Sequence, residues 1–308
     1  MTQAAAQSSA SASADVIVVG AGPAGSSAAY HMATLGLDVI LLEKQELGRD
    51  KVCGDGLTPS AVRELVSMGM DTTGWQRNRG LRVIGGGHLL HFPWPEQASF
   101  PSYGMARPRA LLDRDLAEHA AAAGARLLTG VTVTGPVTSP TGRVTGVEAR
   151  PTNRVAYPGI EGPTTFTAPL VVDAGGVSAR LATAVGRTKN ERRPMGVAVR
   201  AYFRSPRAKD AWMESRLELW DGTPGKSDLL PGYGWIWSVG EGLVNVGLGS
   251  VSSHAQATAI DYRAVFNRWM DNVPASWGFT KENQVGGLVS AALPMAFNRK
   301  PHYADGLM

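Results

Sequence analysis

The stretch Asp15–Lys44 reads DVIVVGAGPAGSSAAYHMATLGLDVILLEK. A short apolar run, Val16 to Val19, feeds Gly20-x-Gly22-x-x-Gly25, a small-residue segment follows, and a second apolar run, Val39 to Leu42, ends at Glu43. That order predicts a strand, a tight turn, a helix and a second strand, the context in which a Gly-x-Gly-x-x-Gly motif binds a dinucleotide. Gly20 makes the turn, Gly22 lets backbone approach a pyrophosphate, and Gly25 lets the helix pack close to the sheet. The phosphates would sit on free N–H groups at the positive end of the helix, around Gly22, Pro23 and Ala24. Glu43, with Lys44 behind it, falls at the strand tip, where a carboxylate accepts hydrogen bonds from both hydroxyls of an adenosine ribose. An acid there disfavours a 2′-phosphate, so FAD or NAD(H) fits better than NADP(H), and the N-terminal placement leans toward FAD. The plain alternative is a Gly-rich turn in an ordinary parallel sheet with Glu43 solvated.

The chain of 308 residues is 44% hydrophobic and 18% charged, ordinary globular values. Its 30 basic and 26 acidic residues give +4 with no dense Lys/Arg run, which argues against a nucleic-acid partner. One cysteine, Cys53, excludes an internal disulfide and fits a cytoplasmic location. No run of about 18 apolar residues is present, so no spanning helix is expected, and peripheral contact at the inner membrane face stays open. The histidines show no metal-ligand spacing, so no metal is expected.

Residues 1–14 (MTQAAAQSSASASA) read as a disordered tail. Thr58-Pro59 predicts a helix to about Met68, residues 81–94 an extended stretch, and Pro108 to Ala123 a helix with Leu111, Leu112, Leu116 and Ala120 at helical spacing. Segments 126–128, 131–133, 144–149 and 170–172 read as strands, the last running into Asp173-Ala-Gly-Gly176. From about Pro194 the chain turns to alternating apolar residues rich in tryptophan, a second sheet, with a helix near 261–270. The expected class is α/β: a Rossmann-like dinucleotide domain with a second, sheet-based α+β domain. The assignment is 15–80, 104–186 and 294–308 to the nucleotide domain and 81–103 with 187–293 to the other. The last residues look like the start of a strand, and the expectation is a fragment of a longer protein.

Together, Gly20–Gly25 with Glu43, Arg49-Asp-Lys-Val-Cys-Gly-Asp-Gly-Leu-Thr-Pro59, Arg109-x-x-x-Asp113, Val172-Asp-Ala-Gly-Gly176, Pro231-Gly-Tyr-Gly-Trp235-Ile-Trp-Ser238 and Val246-Gly-x-Gly249 resemble the geranylgeranyl reductase family. The likeness is greatest to its actinobacterial branch, which acts on the menaquinone side chain, and it runs from Asp15 to Met308. It implies an FAD-binding fold of the aromatic-hydroxylase architecture whose second domain roofs the isoalloxazine. The implied reaction is hydride transfer from reduced flavin to an isoprenoid double bond of a prenyl lipid or isoprenoid quinone. The chain departs from the family at Gly175, where a second Asp is usual, and at Ala179, where Ser is common; weaker flavin contacts through that loop follow. The family's Gly-Asp segment that closes over the ribityl chain would begin beyond Met308.

The resemblance assigns FAD contacts to Lys51, Gly54, Arg109, Asp173 and Gly176, with Arg109 on the ribityl–phosphate region. A surface pair with Asp113 is the plain reading of Arg109, and a helix N-cap that of Asp173. Cys53 lies in a glycine-flanked loop, as proton donor, pocket wall or small buried residue. Tyr233, Trp235 and Trp237 alternate and so share one strand face, which the resemblance makes the lining of a prenyl tunnel and which otherwise reads as an aromatic core. Gly56 would let backbone approach the substrate. An isolated trisubstituted alkene needs a proton as well as a hydride, and Cys53 and Tyr233 are the proton donors expected. No second Gly-x-Gly-x-x-Gly occurs, so the electrons come from NAD(P)H or a redox carrier. The competing readings are an FAD-dependent aromatic hydroxylase using oxygen and an inactive nucleotide-binding fragment.

Overall fold

The structure, a computed structural model, describes residues 11–152, 160, 162–188, 195–252, 260–294 and 301–308. In chain order come β1 (Ser11–Ser13), β2 (Val16–Val19), α1 (Pro23–Thr34), β3 (Val39–Leu42), β4 (Gly56–Leu57), α2 (Pro59–Ser67), β5 (Gln76–Asn78), β6 (Gly80–Gly85), β7 (His88–Pro93) and β8 (Gly104–Ala106). Then follow α3 (Arg109–Ala122), β9 (Arg126–Leu128), β10 (Val131–Thr138), β11 (Val144–Pro151), β12 (Thr164–Thr167), β13 (Leu170–Asp173) and α4 (Leu181–Ala184). The last are β14 (Met195–Arg204), β15 (Trp212–Arg216), β16 (Leu219–Trp220), β17 (Leu229–Leu230), β18 (Gly232–Gly240), β19 (Leu243–Ser252), α5 (Tyr262–Met270) and β20 (Gln284–Pro294). Two compact units result. The first takes in the described residues of Met1–Arg49, Ala110–Asn190 and Phe297–Met308, the second those of Asp50–Arg109 and Glu191–Ala296.

The first unit is built on a parallel sheet in the order β13-β2-β3-β9. Its central strands are apolar throughout because both faces are covered. Val16, Val18, Val39 and Leu41 pack with Ala29 of α1 and with Ala117 and Ala120 of α3. Ile17, Ile40 and Leu42 face the other way, onto Val131, Val147 and Phe166 of a second sheet, β1-β12-β11-β10. Full burial of each such aliphatic side chain contributes about 1.5–3 kcal/mol. The last residues lie along β13: Met308 N–H donates to Val171 O, Asp173 N–H donates to Met308 O, and Leu307 is buried.

Two expectations are corrected. Ser11–Ser13, expected in a disordered tail, form β1, paired in parallel with Thr165–Thr167, since a Ser/Ala segment fits a strand edge wherever a neighbour offers backbone partners; residues 1–10 lie outside the described residues. Residues 50–80 and 104–109, expected with the nucleotide fold, pack in the second unit. The cause is β8, which pairs with both β4 and β5, and the Arg79–Ala211 backbone bond, which ties this segment to the larger sheet. Residues 295–300, also expected with the nucleotide fold, lie outside the described residues.

The second unit carries a seven-stranded sheet, β20-β14-β19-β18-β15-β6-β7, antiparallel except for the β15–β6 pair. Alternation sorts its side chains. Val199, Ala201, Phe203, Ile236, Val244, Val246 and Leu248 lie in one cluster with Tyr262, Val265, Phe266 and Trp269 of α5. The alternate positions Ala198, Tyr202, Trp235, Trp237 and Val239 form a separate cluster with Met213 and Ala106. The 81–94 stretch is the β6–β7 hairpin, turned by Gly86 and Gly87, both at positive φ. No helix among the described residues is long and apolar enough to cross a membrane.

Candidate functional site

In the first unit, β2 delivers the chain to Gly20 at φ +103°, where an added Cβ would lie 2.6 Å from Ala174 O. At Gly25 an added Cβ would lie 1.8 Å from Gly20 O, so the turn closes only on glycine. Gly22 is the N-cap of α1 and supplies no side-chain cap, with Pro23 in the first turn. The first N–H groups of a helix have no intrahelical partner, and this helix start is a ready anion cradle. Ser26 Oγ in the same turn is buried with no hydrogen-bond partner. Glu43 stands at the tip of β3, nearly buried, one oxygen accepting from Ala21 N–H at 3.0 Å and the other from Gln45 N–H at 3.1 Å. Behind it Lys44, Gln45, Glu46, Leu47, Gly48, Arg49 and Gly130 line a cleft of about 240 Å³. Glycines too tight for any side chain, an uncapped helix start, an orphan hydroxyl and an acid at the strand tip together fit a dinucleotide.

Asp173, on the neighbouring strand β13, spends its carboxylate locally: Oδ1 accepts from Gly175 N–H at 3.2 Å and Oδ2 from Ala182 N–H at 3.1 Å. Gly176 takes φ +68° in the short turn that follows.

The second unit gathers the other predicted residues on one sheet face. Register places Tyr202, Asn245 and Trp237 in one row across β14, β19 and β18, and Arg200, Gly247 and Trp235 in the next. Gly247 carries no side chain because an added Cβ would lie 2.3 Å from the Trp235 ring. Trp235 and Trp237 stack at 6.0 Å between centroids, and Tyr233 lies 5.9 Å from Trp235. Both tryptophans are buried, whereas Tyr233 is 45% exposed. Trp235 and Trp237 belong to a cluster with Tyr202, Met213 and Ala106, and Tyr233 meets it through the Trp235 ring. Gly54 and Gly56 are small for a reason visible here: added Cβ atoms would lie 2.8 Å from the Trp237 ring and 2.4 Å from Met213 Cε.

This face binds the loop that carries Cys53. Arg200 donates to Lys51 O at 3.0 Å and pairs with Asp50; Asn245 Nδ2 donates to Cys53 O at 2.9 Å; Trp237 Nε1 donates to Gly54 O at 2.6 Å. Cys53, half-buried, accepts the Asp55 N–H on its sulfur at 3.3 Å. Asp55 is 1% exposed and sits at φ +63°. Its Oδ2 accepts from the Tyr202 hydroxyl at 2.5 Å and from Asn245 Nδ2 at 2.8 Å, and its Oδ1 from Arg109 N–H at 3.2 Å. Burial pushes the Asp55 carboxyl up to about 6 against these donors and the charge of Arg200, which act the other way. Burial, then the Asp55 charge, pushes the Tyr202 phenol well above its ordinary range. Arg200 is itself buried, its guanidinium 4.1 Å from the Tyr202 ring centroid and its Nε without a partner.

Tyr202, Asn245 and Arg200 are the residues sequence reasoning missed, and Asp55 entered it only as a member of the Arg49–Pro59 motif. The available signal was a polar residue at an apolar strand's alternate position, as in Val-Ala-Val-Arg200-Ala-Tyr202-Phe and Leu-Val-Asn245-Val. Among the described residues no group of three His, Cys, Asp or Glu gathers to hold a metal.

Comparison with known proteins agrees with the fold. Residues 13–253 match the family model described as FAD binding domain. The chain is 39% identical over 286 residues to a menaquinone reductase of Mycolicibacterium smegmatis, covering 92% of this chain and 65% of that protein. It is 30% identical over 256 residues to digeranylgeranylglycerophospholipid reductase 1 of Methanosphaera stadtmanae, covering 80% and 57%. The chain thus spans about two thirds or less of these curated relatives' lengths. Among solved structures, a geranylgeranyl bacteriochlorophyll reductase-like protein of Thermoplasma acidophilum superimposes with TM-score 0.76 at 24% identity over 97% of this chain and 70% of that one. A myxobacterial chondrochloren halogenase, an FAD-dependent enzyme, does so with TM-score 0.70 at 22% identity over 96% and 67%. The shared element is the fold.

Proposed function

The chain belongs to the FAD binding domain family, and from that premise we propose that it is an FAD-dependent reductase saturating an isoprenoid double bond of a prenyl lipid, with the menaquinone side chain as first substrate to test. FAD is its cofactor. The observation that carries the reading is the second unit's sheet face, where a loop bearing a thiol and a buried carboxyl is seated among tryptophans. Likeness to relatives named for reducing menaquinone and digeranylgeranyl lipids supports the choice of substrate class.

In the first unit, Gly20, Gly22, Pro23, Ala24 and Gly25 would take the pyrophosphate and Glu43 with Lys44 the adenosine ribose, with Asp173 and Gly176 as further cofactor contacts. In the second, Lys51, Gly54 and Arg109 are proposed cofactor contacts, and Gly56, Trp235 and Trp237 substrate contacts. Bound FAD, once reduced, supplies the hydride. The chain's own task is to exclude water from an apolar chain, hold it in place and give a proton to the less substituted alkene carbon. Cys53 and half-exposed Tyr233 are the donors to test. NAD(P)H or a redox carrier would return the electrons. Leu89, Leu90 and Phe92, each more than half exposed on the edge strand β7, support peripheral contact with a membrane that stores such a substrate.

Mass spectrometry of the lipid quinones in a strain lacking the gene tests the substrate. Loss of the menaquinone heavier by one pair of hydrogens is the expected result. An unchanged quinone profile, with accumulation of another unsaturated prenyl lipid, rejects menaquinone. Oxygen uptake coupled to a hydroxylated phenol would reject the reductase reading itself.

A further inference from the structure

Asn245 sits within the apolar strand segment Leu243-Val-Asn-Val-Gly-Leu-Gly249 and is fully buried. A buried amide has one carbonyl oxygen and two N–H donors to satisfy, and here all three are engaged. Its Oδ1 accepts from Trp235 Nε1 at 2.8 Å, and its Nδ2 donates to Cys53 O at 2.9 Å and to Asp55 Oδ2 at 2.8 Å. These partners fix which way the amide points, since a flip would set its N–H groups against the indole N–H and its oxygen against Cys53 O. A leucine of similar size would leave the buried indole N–H without this acceptor. An aspartate would keep the indole bond but set a second carboxylate against Asp55 and an oxygen against Cys53 O. Asparagine serves both neighbours at once.

Both neighbours carry proposed roles. Trp235 is a proposed substrate contact, its ring lying over Gly247, where an added Cβ would come within 2.3 Å. Cys53 is a proposed proton donor, in a loop whose carbonyls on either side, Lys51 O and Gly54 O, are held by Arg200 and Trp237. The carbonyl of Cys53 itself is held by Asn245. We propose that Asn245 is a positioning residue: it ties the Trp235 indole to the Cys53 backbone at a fixed separation, so that a shift of the ring reaches the thiol through the amide. A competing route runs through Gly54, where an added Cβ would lie 3.7 Å from Trp235 Nε1. That approach is ordinary van der Waals contact without direction, whereas the amide bonds both partners in fixed geometry.

A double-mutant cycle tests this coupling, because side chains that act through one another have non-additive effects. Cys53 is the chain's one cysteine, so its rate of modification by DTNB in the FAD-saturated protein, at one fixed pH, reports on this loop alone. Trp235→Phe, which keeps a ring but loses the indole donor, is expected to raise that rate roughly three- to tenfold, the effect of losing about one neutral hydrogen bond. Asn245→Leu should raise it by at least about tenfold, and the double variant no further than Asn245→Leu alone. Rates that multiply in the double variant overturn the proposal, since Trp235 then reaches the loop by another path. Urea separates loop opening from a general loosening of the fold. Opening of the loop alone gives a rate that stays level through low urea; a rate that climbs from the first addition, as global unfolding does, also overturns the proposal. If Asn245→Leu does not fold, Trp235→Phe decides alone, and an unchanged thiol rate overturns it. The coupling rests on the proposed roles of Cys53 and Trp235 only for its catalytic meaning, under which kcat for menaquinone reduction shows the same non-additivity. Non-additive thiol rates in a protein whose wild type reduces no quinone would count against the reductase and leave the role of Asn245 standing.

Discussion

Two buried acidic clusters in the second unit are built on opposite principles. Glu214, 2% exposed, accepts from Arg82, Arg207 and Arg216, and Asp210 beside it accepts from Arg82, Arg207 and the Trp212 N–H. Two of these arginines also lie over Trp277. Burial would lift the Asp210 carboxyl, but the Arg82 and Trp212 donors and the arginine charges outweigh it and hold the group below its usual range. Asp55, more deeply buried than Asp210, has a phenol, an amide and a backbone N–H, and Arg200 only as a nearby charge; there burial wins. A carboxylate surrounded by guanidinium groups is a strut whose charge is settled. One surrounded by neutral donors keeps its proton close to hand, and such groups cluster at functional sites.

The sharpest way to break this contrast is at Glu214. Glu214→Ala removes the carboxylate shared by three arginines, leaving Asp210 alone to offset Arg82 and Arg207, and Arg216 without its Glu214 partner, with an expected loss of about 3–5 kcal/mol. Urea unfolding at neutral pH measures it. A loss under about 1 kcal/mol, the range of exposed ion pairs, would mean the arginines are solvated and the cluster is no strut.

The pH dependence of stability sharpens the contrast by sign. The Asp55 pKa is raised from 3.8 to about 6 on folding, so the folded state binds the extra proton between those values. Stability from this group is greatest in acid and falls as pH rises through that window, by about 3 kcal/mol at about 1.4 kcal/mol per unit. Asp210 runs the other way: its lowered folded value stabilises above 3.8 and that stability is lost as pH falls. Subtracting the Asp55→Asn unfolding curve from the wild type's should isolate the first slope. A difference curve that is level between about pH 4 and pH 7 would show that Asp55 is solvated as in an unfolded chain.

How much of this was open to the sequence follows from distance along the chain. The nucleotide turn is readable because its strand, glycines, helix and acid fall within one local stretch, where Gly25 meets the Gly20 carbonyl five residues away and Gly20 meets the end of the neighbouring strand. The alternation of Tyr233, Trp235 and Trp237 likewise sets their shared face without tertiary knowledge. Asp55 looked like one polar residue in a Gly-rich loop, because its partners Tyr202 and Asn245 stand 147 and 190 residues away. The tail at Ser11–Ser13 failed for the same reason: its strand character comes from β12, not from its own composition.

In the first unit, where the reading was most local, Gly25→Ala tests whether the glycine turn is as tight as it looks. The added methyl meets Gly20 O, so turn or helix must move. FAD affinity should fall at least roughly tenfold, equivalent to about 1.4 kcal/mol, followed by recovery of flavin fluorescence on dilution. Unchanged retention of flavin would remove this turn from the cofactor site.

The smallest effect on stability is expected on β7. Leu89 and Leu90 are consecutive, so they stand on opposite faces of an edge strand, and both are more than half exposed. A protein docked on one sheet face would cover only one of them, whereas a lipid layer receiving the hairpin would cover both. The stretch from Val83 to Pro93 carries no Asp, Glu, Lys or Arg that would resist transfer from water. Replacing Leu89, Leu90 and Phe92 together by Ser should therefore change unfolding free energy by no more than about 0.5 kcal/mol per site, yet lower co-sedimentation with vesicles of anionic phospholipid severalfold. If the triple variant sediments with vesicles as the wild type does, the exposed strand is no membrane contact; if it unfolds, the strand is buried in solution by some other surface.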